Sequence, residues 1–223
     1  MKTKTKVVLL ALCMAALIVV SVLGTMAYLT SQDTVVNTFT VGNVAITLDE
    51  ADVNELGVVD GTGRVEENEY KLLPGHTYIK DPTVTVLEGS EPCYVKMTVT
   101  FTEAAALDEI FKPNGADLKS IFNGYDANNW IYKGYTDGTD TDTNATTRTY
   151  EFWYKDVAKA PAENGDEVED NLELDALFDS ITVPGFITNE QLATIEGMTI
   201  TVNAYAIQAD GFADAADAWD HFN

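Results

Sequence analysis

The chain has 223 residues, with 36 acidic side chains against 13 basic ones and a formal net charge of −23 at pH 7. So strong a carboxylate excess repels nucleic acid and anionic lipid, which removes both from the candidate partners. Two cysteines, at positions 13 and 93, cannot build a disulfide framework or a cysteine-based zinc site.

The N-terminus places Lys2, Lys4 and Lys6 before an apolar run from Val7 to Gly24 that only Ser21 interrupts. A basic region, an apolar region and then the small residue Ala27 form the grammar of a secretory signal. Thr25-Met26-Ala27 approximates the small-x-small cleavage pattern, so processing is expected between Ala27 and Tyr28; Val22-Leu23-Gly24 is the weaker rival. At 18 residues the apolar run is also near the minimum for a spanning helix, so a retained anchor is the alternative. Cleavage would leave 196 residues, a size that suits one domain, with a net charge of about −26 from 10 basic and 36 acidic groups. Cys13 would leave with the signal. Contact with a membrane would then be limited to the signal segment before cleavage.

Behind the signal, Tyr28 to Val41 contains neither Pro nor Gly and is rich in Thr and Val. That composition suits an extended segment, and Tyr28 to Asn37 is expected to be a mobile arm. Phe39 and Val41 are apolar at odd positions, whereas Val44, Ile46 and Leu48 are apolar at even ones. A bulge at Gly42 would return all five to one face, which predicts a bulged first strand over Thr38 to Leu48. The acidic stretch from Glu50 to Asn68 is expected to be a loop.

Period-2 alternation then dominates. "TYIKDPTVTVLEG" is a strand candidate, and Cys93, Val95, Met97, Val99 and Phe101 share one face of the next. In that setting Cys93 is expected to be a buried small hydrophobe rather than a reactive thiol. "TEAAALDEIFK" has helical spacing from Thr102; "NNWIYKGY" and "TRTYEFWYK" return to alternation, the latter aligning Tyr150, Phe152 and Tyr154. Thr136 to Thr146 and Ala160 to Asn171 are expected to be polar loops. "TNEQLATIEG" offers a Thr188 cap and a Gly197 stop, and Met198, Ile200, Val202, Ala204 and Ala206 line one face of a late strand. Phe212, Ala215, Ala216, Trp219 and Phe222 form a helical stripe expected to pack into the core. The reading is a mainly β protein: an antiparallel β-sandwich of jelly-roll type with short peripheral helices, forming one domain over residues 28–223.

Catalytic patterns are scarce. His76 and His221 are the only histidines; no H-E-x-x-H, G-x-S-x-G, P-loop or G-x-G-x-x-G occurs. "DTDTNATTRTYE" sets Asp140, Asp142, Asn144 and Glu151 at positions 1, 3, 5 and 12 of a calcium-loop pattern. Ala145 replaces the usual glycine, Arg148 occupies a ligand position, and the segment runs into a strand. The set is therefore a weak calcium candidate, and no other cofactor is expected. The chain is not expected to be an enzyme.

The junction "GTMAYLTSQD" followed by "NTFTVGNVAITL" resembles secreted Gram-positive proteins with SipW-dependent signal peptides, the TasA/camelysin family. "YKLLPGHTYIKDPTVTVLEGSEPCYVKMTVTF" resembles the second block of that family, and "TVNAYAIQADGF" its late strand. The resemblance implies a jelly-roll-like subunit, cut by a dedicated signal peptidase and secreted to the cell surface or a biofilm matrix. It also implies self-association, or association with other matrix subunits, in which the freed N-terminal segment enters the next subunit as a strand. A monomeric surface-binding or adhesion module is the alternative. A camelysin-like metallo-endopeptidase is a third reading, disfavoured because the chain has no zinc motif.

Overall fold

The computed structural model describes residues 42–161 and 171–222. The expected signal (1–27) with Ala27 and Tyr28, the arm (28–37), Phe39 and Val41 of the first strand, and most of the acidic loop after Ala160 lie outside the described residues. Gly42 to Asn223 forms one compact unit.

The described part contains eleven strands, three short α-helices and two single-turn 3₁₀ helices. One four-stranded sheet runs in the order β2-β1-β4-β9, with β1 Ile46–Val53, β2 Val59–Val65, β4 Thr83–Val86 and β9 Leu172–Glu173. A second runs β11-β5-β8-β7, with β5 Cys93–Thr102, β7 Trp130–Thr139, β8 Thr146–Tyr154 and β11 Ile200–Gln208. A smaller sheet joins β3 Thr77–Ile79, β10 Ser180–Thr182 and β6 Phe122–Asn123. Every pairing is antiparallel.

β5 is the axis of the core. Its residues alternate between buried and half-buried along its whole length, with Cys93, Val95, Met97, Val99 and Phe101 on the inner face. Tyr150 and Phe152 of β8 extend that face, and Val84 and Val86 of β4, Tyr78 of β3 and Ile181 of β10 complete the same cluster. Aromatic rings fill the centre: Phe122 stacks on Phe178 with centroids 4.5 Å apart, and Phe101 meets Tyr150 edge-on at 5.9 Å. α1 Ala104–Phe111 closes one end of the core with Leu107, Ile110 and Phe111. α2 Asn189–Thr194 starts on a capping box between Thr188 and Gln191, as the Thr188 signal predicts, and Gly197 follows it at φ 82°.

Several sequence expectations need correction. Glu50 to Asn68 is not a loop: β1 continues to Val53 and pairs with β2 as a hairpin. Nearly every residue of β2 is exposed, so no hydrophobic alternation betrays it. Thr136 to Thr146 likewise contains the outer ends of β7 and β8, leaving only Asp140 to Ala145 as the turn. The Thr77–Gly89 candidate splits at Lys80-Asp81-Pro82 into β3 and β4, which belong to different sheets. Pro82, with no N–H to offer a ladder, marks the break. Gly42 precedes the β1 ladder rather than bulging within it, and the irregularity in β1 lies between Ala51 and Val53.

The C-terminal stripe also behaves differently. α3 Ala215–Asp220 buries Ala218 and Trp219, while Ala216 and Phe222 stay exposed. The helix packs on the outer face of the β5 sheet, where Trp219 lies 6.3 Å from Trp153 and 4.6 Å from the Lys96 ammonium. A six-residue helix is marginal by itself, so these aromatic and cation–π contacts hold it.

Phe152 is 1% exposed at the centre of the aromatic cluster. Phe152→Ala is expected to lower the unfolding free energy by about 3–5 kcal/mol in urea titrations. A loss under about 1 kcal/mol would mean that the inner face of β8 is not core.

Candidate assembly groove

The sheet topology leaves one long edge without the usual protection. Among the described residues, β5 is the only strand paired with β11. Thr102 N–H donates to the Thr199 carbonyl at 3.1 Å and Ala209 N–H to the Pro92 carbonyl at 2.7 Å. These bonds fix the parity of the ladder. Odd residues of β11 point their backbone groups at β5, and the even ones (Ile200, Val202, Ala204, Ala206 and Gln208) point theirs outward. The edge "ITVNAYAIQ" has no charge, no Pro and no bulge, although the chain carries net −23. Edges are ordinarily blunted by such devices. β7, the opposite edge of the same sheet, has them: a register shift at Tyr132/Gly134 and the cation of Lys133.

Beside β11 lies a groove of about 1,060 Å³ that reaches β1 at Leu48–Glu50. Leu72, Ile181, Leu192, Met198 and Ile200 line it and also line a small, wholly apolar cavity of about 30 Å³, so its floor is continuous with the core. Exposed Glu66, Glu67, Glu69 and Glu196 give the rim a negative charge.

At the polar end of the groove, Lys80 and Glu50 form an ion pair at 2.6 Å with both side chains 7% exposed. Glu50 accepts from Asn68 Nδ2 at 2.9 Å through its other oxygen, and the Tyr70 ring lies 5.7 Å from Lys80 Nζ. Burial, and then the Glu50 carboxylate, push the Tyr70 hydroxyl well above the ordinary tyrosine range. Breaking a buried pair by removing one partner costs about 3–5 kcal/mol, because the other charge is left uncompensated. None of these residues stood out in the sequence. Asn68 and Lys80 occupy irregular segments after β2 and β3; the β1–β2 hairpin brings the first to Glu50 and the pairing of β1 with β4 brings the second.

The sequence-predicted site residues are placed elsewhere. Asp140 closes the β7–β8 turn: its carboxylate accepts from the N–H groups of Asp142 and Thr143 and from the Thr143 hydroxyl. The backbone and hydroxyl bonds from Thr143, with that from Asp142, hold its carboxyl below the usual range. Asn144 takes φ 60°, a left-handed conformation that Asn tolerates. Glu151 pairs with Gly134, five rungs back from the tip, which is about 17 Å at strand rise. Its carboxylate accepts from Trp153 Nε1 at 2.6 Å. The four calcium candidates therefore do not converge, and among the described residues no three His, Cys, Asp or Glu side chains do so.

Arg148, a misfit in the calcium pattern, holds the hairpin to α1. It donates to both oxygens of Asp108 at 2.8 and 2.9 Å and to Asp137 at 2.7 and 3.1 Å, with Tyr135 stacked at 4.5 Å. His76 bonds the Leu56 carbonyl and meets Tyr78 edge-on, and His221 bonds the Asp217 carbonyl; neither ring shares a site with the other. Cys93 is fully buried, and burial pushes its thiol up to about 11, which makes it inert rather than nucleophilic.

In comparisons with known proteins, no family model, no curated protein and no solved structure matches the chain.

Hydrogen bonding to Arg148 lowers the Asp108 carboxyl below its ordinary value. A depressed folded value contributes stability above the unfolded value, near 4, that is lost as pH falls through the folded value. Unfolding titrations between about pH 5 and 2 should show that loss in wild type and a shallower loss in Asp108→Asn. Parallel pH profiles would show that the pair contributes nothing.

Proposed function

We propose that this chain is a secreted structural subunit of the cell surface or a biofilm-type matrix, a jelly-roll member of the TasA/camelysin kind. It is not an enzyme in this reading. Signal peptidase removes residues 1–27, and the freed segment from Tyr28 pairs with the open edge of a neighbouring copy. One observation carries the reading: β11 is a nine-residue, uncharged edge with outward-facing backbone groups, and its first three residues, Ile200 to Val202, border an apolar-floored groove. A donor strand needs those two features, backbone hydrogen bonds for affinity and apolar pockets for alternate side chains.

Ahead of β1 the chain is bonded to its own subunit as far as Asn43, so a donor segment would begin before that residue. The Asn43 and Ala45 carbonyls accept from Glu91 and Leu87 N–H at 2.9 Å, so residues 43–45 run on from β1 alongside the end of β4. A Cβ on Gly42 would come within 2.8 Å of the exposed Glu91 side chain, which would have to move aside. An acidic-rimmed groove also suits a monomeric module that binds a cationic surface ligand, and the test separates the two.

Ala204 directs its N–H outward, whereas Asn203 directs its N–H at β5. Ala204→Pro therefore removes only an edge donor, which edge strands tolerate. Purified Ala204→Pro protein should stay folded yet fail to form the filaments that wild type forms by electron microscopy, and deletion of Tyr28 to Asn37 should do the same. Normal filaments from both variants would remove strand pairing at β11. A wild-type chain that stays monomeric and binds a cationic ligand saturably would favour the binding module.

A further inference from the structure

Glu50, Asn68 and Lys80 are more than an ion pair with a neighbour. A salt bridge needs two groups, and here one carboxylate holds an amine on one oxygen and a carboxamide on the other. Lys80 Nζ lies 2.6 Å from Glu50 Oε2, and Asn68 Nδ2 donates to Glu50 Oε1 at 2.9 Å. The carboxamide is held on every side: Nδ2 also donates to the Ala51 carbonyl at 2.9 Å, and Oδ1 accepts from Val53 N–H at 3.0 Å. Lys80 and Glu50 are each 6% exposed as residues, and the Tyr70 ring borders the amine.

We propose that this cluster is an autocatalytic cross-linking site, which joins Lys80 Nζ to Asn68 Cγ as an intramolecular isopeptide bond. Each participant has a defined part. Lys80 passes one proton from Nζ to Glu50, and its lone pair then forms the Nζ–Cγ bond. The Cγ=Oδ1 electron pair moves onto Oδ1, where Val53 N–H is already placed to receive the developing charge. Glu50 carries the protons from the attacking nitrogen to Nδ2. The carbonyl re-forms, the Cγ–Nδ2 bond breaks, and the leaving nitrogen departs as ammonium. Lys–NH₃⁺ and Asn–CONH₂ thus become Lys–NH–CO–Asn and NH₄⁺, with no oxidant, reductant or other reactant. Burial favours the step, because proton transfer within the pair removes two charges from a poorly solvated site. Glu50 holds the amine on one oxygen and the amide on the other, and would so bring the two reacting groups together.

The bond would covalently brace the wall of the groove, tying the segment after β2 to the segment after β3. Disulfide chemistry cannot do this among the described residues, where Cys93 is the single, buried cysteine.

Intact-mass spectrometry of the purified full chain, referenced to its own determined N-terminus, tests the proposal. Wild type should be lighter than its sequence mass by one ammonia. Proteolysis should release one branched peptide joining the Lys80 and Asn68 segments. Lys80→Arg and Asn68→Ala both leave a cation paired with Glu50, so both should fold by near-UV circular dichroism and show the full sequence mass. Glu50→Gln should cross-link more slowly or not at all. A folded wild type that keeps its full mass on prolonged incubation would overturn the proposal. So would an ammonia loss that survives Lys80→Arg, which would signify succinimide formation at an asparagine.

Discussion

Backbone hydrogen bonding along β5 is the constraint on which the rest of the structure depends. Its inner side chains are fully buried from Cys93 to Phe101, so its N–H and C=O groups must find partners on both sides. β8 satisfies one side and β11 the other, over seven and nine residue pairs in unbroken register. The core is fixed by that arrangement, because β8 and β11 must then present the same inward face. The consequence falls on β11. It completes β5 and is left as an edge whose even-numbered backbone groups have no strand to pair with among the described residues.

Charge is used locally against this background of neutral strands. Arg148, 6% exposed, would be costly to bury unpaired, and two carboxylates from separate elements enclose it. Arg64, by contrast, is exposed, and its pairing with Asp49 and Asp81 beside the β1–β2 hairpin is a surface one. Lys96 is treated differently. It crosses the outer face beneath Trp219, Tyr205 and Phe222, so its charge is met mainly by ring faces, with Glu151 at 3.9 Å. A chain of net −23 thereby spends several of its few cations inside the fold, and the remaining surface is left strongly acidic.

The sequence revealed what the core dictates and hid what the solvent tolerates. The faces of β5, β8 and β11 were legible because burial imposes period 2 on them. The Thr188 box was legible because capping chemistry is local. The β1–β2 hairpin was not, since a ribbon exposed on both faces has no reason to alternate. Nor was the placement of α3, because a helix stripe does not say which sheet face it meets. The calcium pattern in "DTDTNATTRTYE" arose from turn chemistry: Asp140 caps the turn, Asn144 supplies a left-handed residue, and Glu151 belongs to the strand. The cluster of Glu50, Asn68 and Lys80 was invisible for a third reason. Its members are 12 to 30 positions apart and are brought together only by strand pairing.

In the proposed assembly, the β11 edge takes a strand from a neighbouring copy. Amide hydrogen exchange, resolved by residue and compared between dispersed and assembled protein, tests it most directly. Ile200, Val202, Ala204 and Ala206 should exchange readily in the dispersed chain and become protected on assembly, while odd-numbered β11 amides are protected in both. Equal protection of the even-numbered amides in the two states would show that β11 takes no added strand.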